Sequence, residues 1–312
     1  AARVESITTI SHQPHLYHGW PTLARRANGQ LLLVYSGGRE GHVCPFGRVE
    51  LMRSNDDGQT WSWPQVVLDG AIDDRDAGVL ETKRGTLLVT TFTSLAFEER
   101  MPRDDAKRIA RWRAAQDRLG ADERRRALGC WVIRSTDRGR TWSGPLACPV
   151  NSPHGPIQLA DGRVLYAGKQ IYHEPERIGA CESTDEGRTW RWLAEIPTRD
   201  GDDSNDYHEL HAVEAADGRI IAQIRNHNRA NSEETLQSES EDGGKTWTAP
   251  RSIGVWGYPS HLLRLQDDRL VMSYGHRRTP FGNQARVSND HGRTWSPPLV
   301  VSGDGTSRDL GY

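Results

Sequence analysis

The chain has 312 residues with 40 Lys and Arg against 42 Asp and Glu, a net charge of −2. A balance this close leaves no electrostatic footprint for nucleic acid, and no apolar run reaches the length of a membrane span. What remains is one soluble, turn-rich domain over residues 1–312, with 31 Gly and 16 Pro to punctuate it.

In chain order, residues 3–10 form a candidate first strand. Thr22–Leu23 and Leu31–Tyr35 then flank Asn28-Gly29, a dipeptide that suits a hairpin turn. The next segment is Ser54-Asn55-Asp56-Asp57-Gly58-Gln59-Thr60-Trp61, and its pattern Ser-x-Asp-x-Gly-x-Thr-Trp returns at Ser135, Ser183, Ser240 and Ser288. The Asp accepts from backbone N–H groups in a tight turn, Gly takes a φ > 0 position, and Thr-Trp opens the following strand. Ahead of each later box comes another hairpin: Gly78–Leu80 with Leu87–Thr91, Ile157–Leu159 with Val164–Tyr166, Ala212–Val213 with Ile220–Ile224, and Leu262–Leu265 with Leu270–Tyr274.

Each unit therefore reads as a meander of about four strands ending in a box, and repeats of roughly fifty residues of this kind build propeller blades. The expected fold is all-β: a six-bladed β-propeller, its last blade begun at Arg308-Asp309-Leu310-Gly311-Tyr312 and incomplete, with residues 3–10 closing the ring. The long interval between the boxes at Ser54 and Ser135 holds residues 98–127, rich in Arg, Asp, Glu and Ala, which read as a helical insertion in the second blade with Ala110, Trp112, Ala115 and Leu119 as its weak apolar stripe. Cys44, Cys130, Cys148 and Cys181 lack metal-type spacing and read as thiols. No metal site and no cofactor is expected.

The entrance of each blade's first strand is where polar groups of a propeller converge. Those stations carry His15, His18 and Trp20; Asp73, Asp74, Arg75 and Asp76; His154; Tyr207, His208, Glu209 and His211; Tyr258 and His261; and Asp309 and Tyr312. The following strands end in Arg39-Glu40, Lys169, Arg225 to Asn228, and His276-Arg277-Arg278. Carboxylates and histidines supply general acid–base groups, and guanidinium forks bind carboxylates in two-pronged fashion, so the set suits an acidic sugar.

With the boxes in place, the chain resembles the sialidase superfamily of Asp-box, or BNR-repeat, six-bladed propellers. The local match is Glu209-Leu210-His211-Ala212-Val213-Glu214-Ala215-Ala216-Asp217-Gly218 leading to Arg225. The resemblance implies that Glu209 activates a tyrosine nucleophile, that Arg225 and Arg277 or Arg278 bind the substrate carboxylate, and that Tyr312 is the nucleophile. Gly19-Trp20-Pro21 stands where the superfamily has Arg-Ile-Pro, and Gly47-Arg48-Val49-Glu50 lacks its acid. The Asp73, Asp74 and Asp76 cluster is the expected replacement acid, in competition with His15, His18 and His42, and Arg75 replaces the lost clamp. Arg39, His15, His18, His154, His208, Tyr207 and Tyr258 complete the expected substrate-binding set. The implied activity is an exo-acting glycoside hydrolase on a terminal sialic acid or related acidic sugar, with a secreted or periplasmic setting favoured and oligomerisation open. A hydrolase or lyase acting on a uronic acid, and a non-catalytic glycan-binding propeller, are the alternatives.

Overall fold

The computed structural model describes residues 3–231, 234–308 and 310–311. Its strands form five four-stranded antiparallel sheets, each a meander in chain order. Two compact units hold them. The N-terminal unit, Thr9–Cys148, contains two sheets; the C-terminal unit, from Pro149 onward together with the first residues of the chain, contains three.

In the N-terminal unit the first sheet is β1 (Tyr17–Arg25), β2 (Leu31–Arg39), β3 (Arg48–Ser54) and β4 (Gln65–Leu68). The second is β5 (Asp73–Glu81), β6 (Leu87–Ser94), β7 (Cys130–Ser135) and β8 (Leu146–Ala147). Period-two alternation turns Leu32, Val34, Val49 and Leu51 of one sheet onto Ala77, Val79, Leu87 and Val89 of the other. Each such Leu or Val side chain, fully removed from water, contributes about 1.5–3 kcal/mol. Between β6 and β7 lie α1 (Ala106–Gln116), capped by the Asp105 carboxylate, and α2 (Ala121–Arg126). The insertion is docked: Trp112 is 1% exposed against Cys44, Ile72 and Phe97, and Glu40 accepts from Arg108, Arg111 and the Trp112 indole N–H. Of the expected apolar stripe, Trp112 and Ala115 are buried, while Ala110 faces water.

The C-terminal unit comprises β9 (Ile157–Gln158), β10 (Val164–Lys169), β11 (Ile178–Ser183) and β12 (Arg191–Glu195); β13 (Tyr207–Glu214), β14 (Ile220–Asn226), β15 (Glu234–Ser240) and β16 (Arg251–Trp256); and β17 (Ser260–Arg264), β18 (Leu270–His276), β19 (Phe281–Ser288) and β20 (Leu299–Gly305). One apolar layer, including Leu165, Ile178, Leu210 and Ile224, joins the first two sheets; a second, including Val213, Ile221, Leu262 and Met272, joins the last two.

Each box sits between the third and fourth strands of its sheet, not at the end of the meander. In the first, Ser54 Oγ donates to Asp56 Oδ1 at 2.8 Å, the Thr60 backbone N–H donates to the same oxygen at 2.9 Å, and Thr60 Oγ1 donates to Asp56 Oδ2 at 2.5 Å. Asp57 and Gly58 take φ of 54° and 89°, two successive left-handed positions that make Gly58 the only comfortable residue at the second. The Trp61 indole N–H donates to the Gly58 carbonyl, so Trp closes the turn and does not open β4, which starts at Gln65. A guanidinium from the preceding sheet also grips a box backbone: Arg53 reaches Gly139 O, Arg163 reaches Gly243 O, and Arg219 reaches His291 O.

The expectation of six blades is overturned. Among the described residues there are five sheets, one per box, and residues 3–16 form no strand because they find no ladder partner for their N–H and C=O groups. Asp309 and Tyr312, on which the expected sixth blade rested, lie outside the described residues.

Candidate active site

The register of the first strand is broken in three sheets, by a one-residue bulge on β13 and on β5 and by two compensating shifts on β1. On β13 the pairing shifts between Tyr207↔Asn226 and Leu210↔Ile224, on β5 between Arg75↔Phe92 and Gly78↔Thr90, and on β1 between Tyr17 and Thr22. Trp20 and Asp76, inside two of these irregularities, have φ of 53° and 49°. A bulge re-aims the side chains it contains, and here it does so at the stations singled out in the sequence.

In the C-terminal unit the bulge presents His208 and Glu209 beside the end of β14. Arg225 Nη1 donates to Glu209 Oε1 at 2.9 Å, and Arg225 Nε donates to His227 Nε2 at 2.8 Å. A guanidinium only donates, so His227 must accept, with its proton on Nδ1. His227 lies 4.4 Å from the His208 ring and 5.3 Å from that of Tyr258, between centroids. Tyr258 is flanked by the guanidiniums of Arg225, 4.6 Å from its centroid, and Arg277, 5.2 Å away. Arg277 Nε donates to the Tyr258 carbonyl at 2.8 Å, which fixes the arginine against the ring. Glu209 Oε2 is buried and has no hydrogen-bond partner among the described residues.

Burial pushes the Glu209 carboxyl up, but Arg225, then His208 and His227, outweigh it, and the group lies below the usual glutamate range. Glu209 is therefore an ionised carboxylate at neutral pH. Burial carries His208 down to about 4, opposed by Glu209 and assisted by Lys169, and lowers His227 likewise, so both imidazoles are neutral. The cluster offers an ionised carboxylate with one oxygen that has no partner among the described residues, a guanidinium held on three sides, and the neutral imidazole of His208, which is the equipment for taking a proton next to a bound anion.

Other expected site residues of this unit lie elsewhere. Tyr207 is fully buried in the apolar layer, its hydroxyl donating to Asp202 Oδ2 at 2.6 Å. Arg278 stacks on Trp256 at 3.8 Å. His154 packs edge-on against His211 and His261, which stack on each other, with centroids 5.3, 5.3 and 4.3 Å apart; His211 Nδ1 accepts from the Leu262 N–H at 2.8 Å. Burial holds all three below the usual histidine range, His261 at about 4.

In the N-terminal unit, Arg39 clamps Asp73 through two N–H···O contacts of 2.6 and 3.0 Å, both side chains fully buried. The rest of the Arg39 fork goes to Ser36 Oγ and to the carbonyls of Gly41, His42 and Asp74. Arg75 lies 4.5 Å over the Trp20 ring and 3.8 Å from Asp73. Asp74 accepts from the Gly70 N–H at 2.6 Å, and burial, aided by Asp73 and Asp69, pushes its carboxyl up to about 7. It is the group nearest to the expected acid in character, yet it has no solvent exposure. Asp76 is buried beside Cys130. His18 is engaged with Ser11 and the Gln13 carbonyl, and His15 is exposed. Tyr312 lies outside the described residues. Among the described residues no group of three or more His, Cys, Asp or Glu could hold a metal ion.

His227 was absent from the sequence-derived binding set. The signal existed: His227 follows the end of β14 two residues after Arg225, within the same run that closes that strand.

The boxes and the bulged stations define a class, the Asp-box β-propeller. A family model described as a BNR repeat-like domain matches residues 106–312, and the chain belongs to that family, within the sialidase superfamily of propellers. A sialidase from Micromonospora viridifaciens is 25% identical over 204 residues, covering 54% of this chain and 31% of that protein, so the chain spans about a third of this curated relative's length. A Dyadobacter fermentans protein of unknown function superposes with a TM-score of 0.77 at 25% identity, covering 96% of this chain and 86% of that one. A Hadza microbial sialidase gives 0.69 at 21% identity, covering 92% and 59%, and the leech intramolecular trans-sialidase, complexed with 2,7-anhydro-Neu5Ac, gives 0.67 at 14%, covering 95% and 63%. The last two show the fold alone.

Proposed function

We propose that the chain is an exo-acting glycoside hydrolase that releases a terminal sialic acid or related acidic sugar. The observation that carries this reading is the Glu209–Arg225 pair: the carboxylate is ionised, one oxygen is held by the guanidinium, and the other has no hydrogen-bond partner among the described residues. Arg225 and Arg277, both packed against the Tyr258 ring, receive the sugar carboxylate. A carboxylate nucleophile would be repelled by the substrate's own carboxylate, so a phenol attacks the anomeric carbon; we assign that role to Tyr312, with Glu209 taking its proton. The sialidase from Micromonospora viridifaciens supports the substrate class.

Neutral His208 favours a second reading, a lyase that abstracts a proton beside the carboxylate of a uronic acid. One experiment separates the two. The chain and its Glu209→Gln variant are incubated with α-linked sialosides and with uronate-terminated glycans, reading free sialic acid by chromatography and unsaturated sugar by ultraviolet absorbance. Sialic acid released by the parent and lost in the variant supports the hydrolase. An unsaturated product moves the assignment to the lyase, and binding without turnover of either class overturns both.

A further inference from the structure

We propose that Cys130 and Cys148 are a disulfide-forming pair that staples the end of the N-terminal unit when the protein meets a peroxide. All four cysteines are thiols here. Trp131 pairs with Ala147 and Val132 with Leu146 across β7 and β8, and one step further in that register sets Cys148 directly opposite Cys130. The Cys148 N–H donates to the Cys130 carbonyl at 2.9 Å, which carries the pairing through to these two residues. Directly opposed residues of an antiparallel pair share a face, with Cα atoms about 4.5–5.5 Å apart. A disulfide needs about 4.4–6.8 Å. The backbone is thus already in the bridged arrangement.

The other two thiols lack this geometry. Cys44 packs among Ile72, Phe97 and Trp112, and Cys181 on β11 is opposed by Tyr166 and Trp192. The proposed bridge closes residues 130–148 around the second box, and Cys148 is the last residue of its unit. It would therefore tie off the point where the chain leaves its second sheet.

The chemistry balances with hydrogen peroxide as oxidant. One thiolate attacks a peroxide oxygen, giving a sulfenic acid and hydroxide; the other thiol attacks that sulfur and expels water. Two thiols and one peroxide become one disulfide and two waters. Burial, with Cys148 and Asp76 adding negative potential, raises the Cys130 thiol above its ordinary range, so the reaction is slow and accelerates as pH rises.

The test is to expose the intact folded protein to hydrogen peroxide, denature it, alkylate the remaining thiols and map the peptides. The expected result is the loss of two hydrogens in the intact mass, two alkylatable thiols in place of four, and one cross-linked peptide containing Cys130 and Cys148, reversed by dithiothreitol. A Cys44→Ser/Cys181→Ser variant keeps the cross-link, and Cys148→Ser loses it. Four alkylatable thiols after exhaustive oxidation, a bridge through Cys44 or Cys181, or sulfinic acid at Cys130 in its place would overturn the proposal. The readout on the parent chain stands whether or not a variant folds.

Discussion

Two arginine–carboxylate pairs of this molecule differ in completeness. Arg39 and Asp73 meet through two short contacts with no solvent exposure, and the rest of the guanidinium is consumed by a hydroxyl and backbone carbonyls. Arg225 and Glu209 meet through one contact, with 16% and 22% of their side chains exposed and one carboxylate oxygen left over. A saturated pair has nothing to offer a ligand and holds the backbone in place. An unsaturated one spends folding free energy on a group that a substrate can complete.

Breaking each pair should expose that division. Glu209→Gln keeps the shape and removes the base, and should lower turnover by about 10²–10⁴-fold while leaving the urea midpoint nearly unchanged. Asp73→Asn strands a fully buried guanidinium and should cost about 3–5 kcal/mol in urea unfolding. A Glu209 variant as destabilising as the Asp73 variant would erase the distinction.

Acidity sharpens it further. The Asp74 carboxyl is raised to about 7 in the folded protein, so its contribution to stability is complete below the unfolded value near 3.8 and is lost as pH rises towards 7. That window corresponds to roughly 4 kcal/mol at most, and Asp74→Asn should flatten it. The histidine stack has the opposite sign. His261 titrates at about 4 when folded, so the unfolded chain gains protons first and stability falls as pH drops from about 6.5, by roughly 3 kcal/mol across the window. His154→Phe should reduce the acid slope that remains, the smallest of these effects, read from urea midpoints at neutral and mildly acid pH.

The strands were legible because each hairpin and box is a local contract: Asn28-Gly29 or Asp217-Gly218 between apolar runs, and Ser, Asp and Thr within hydrogen-bonding reach of one another. The sheet count was misread where locality ended. Residues 3–10 carry a strand-like pattern, but a strand exists only when a partner supplies the other half of its ladder. Glu209 and Arg225 were visible as a motif, whereas the role of Tyr207 depended on which face of a bulged strand it occupies. One inserted residue reverses that face, and its position is not written in the alternation itself. Asp73 illustrates the same limit, since its acidity was read from its neighbours in sequence and its fate is set by Arg39, which comes from another sheet.

The boxes carry a consequence beyond turn geometry. Because Arg53, Arg163 and Arg219 each dock on the backbone carbonyl of the box in the next sheet, the docking needs only the turn's shape and none of its variable side chains. Any sheet ending its third strand in such a box is an acceptable successor to any sheet bearing the arginine. The same joint can be reused while the residues between joints drift, which lets a shared scaffold accumulate different chemistries at its strand entrances.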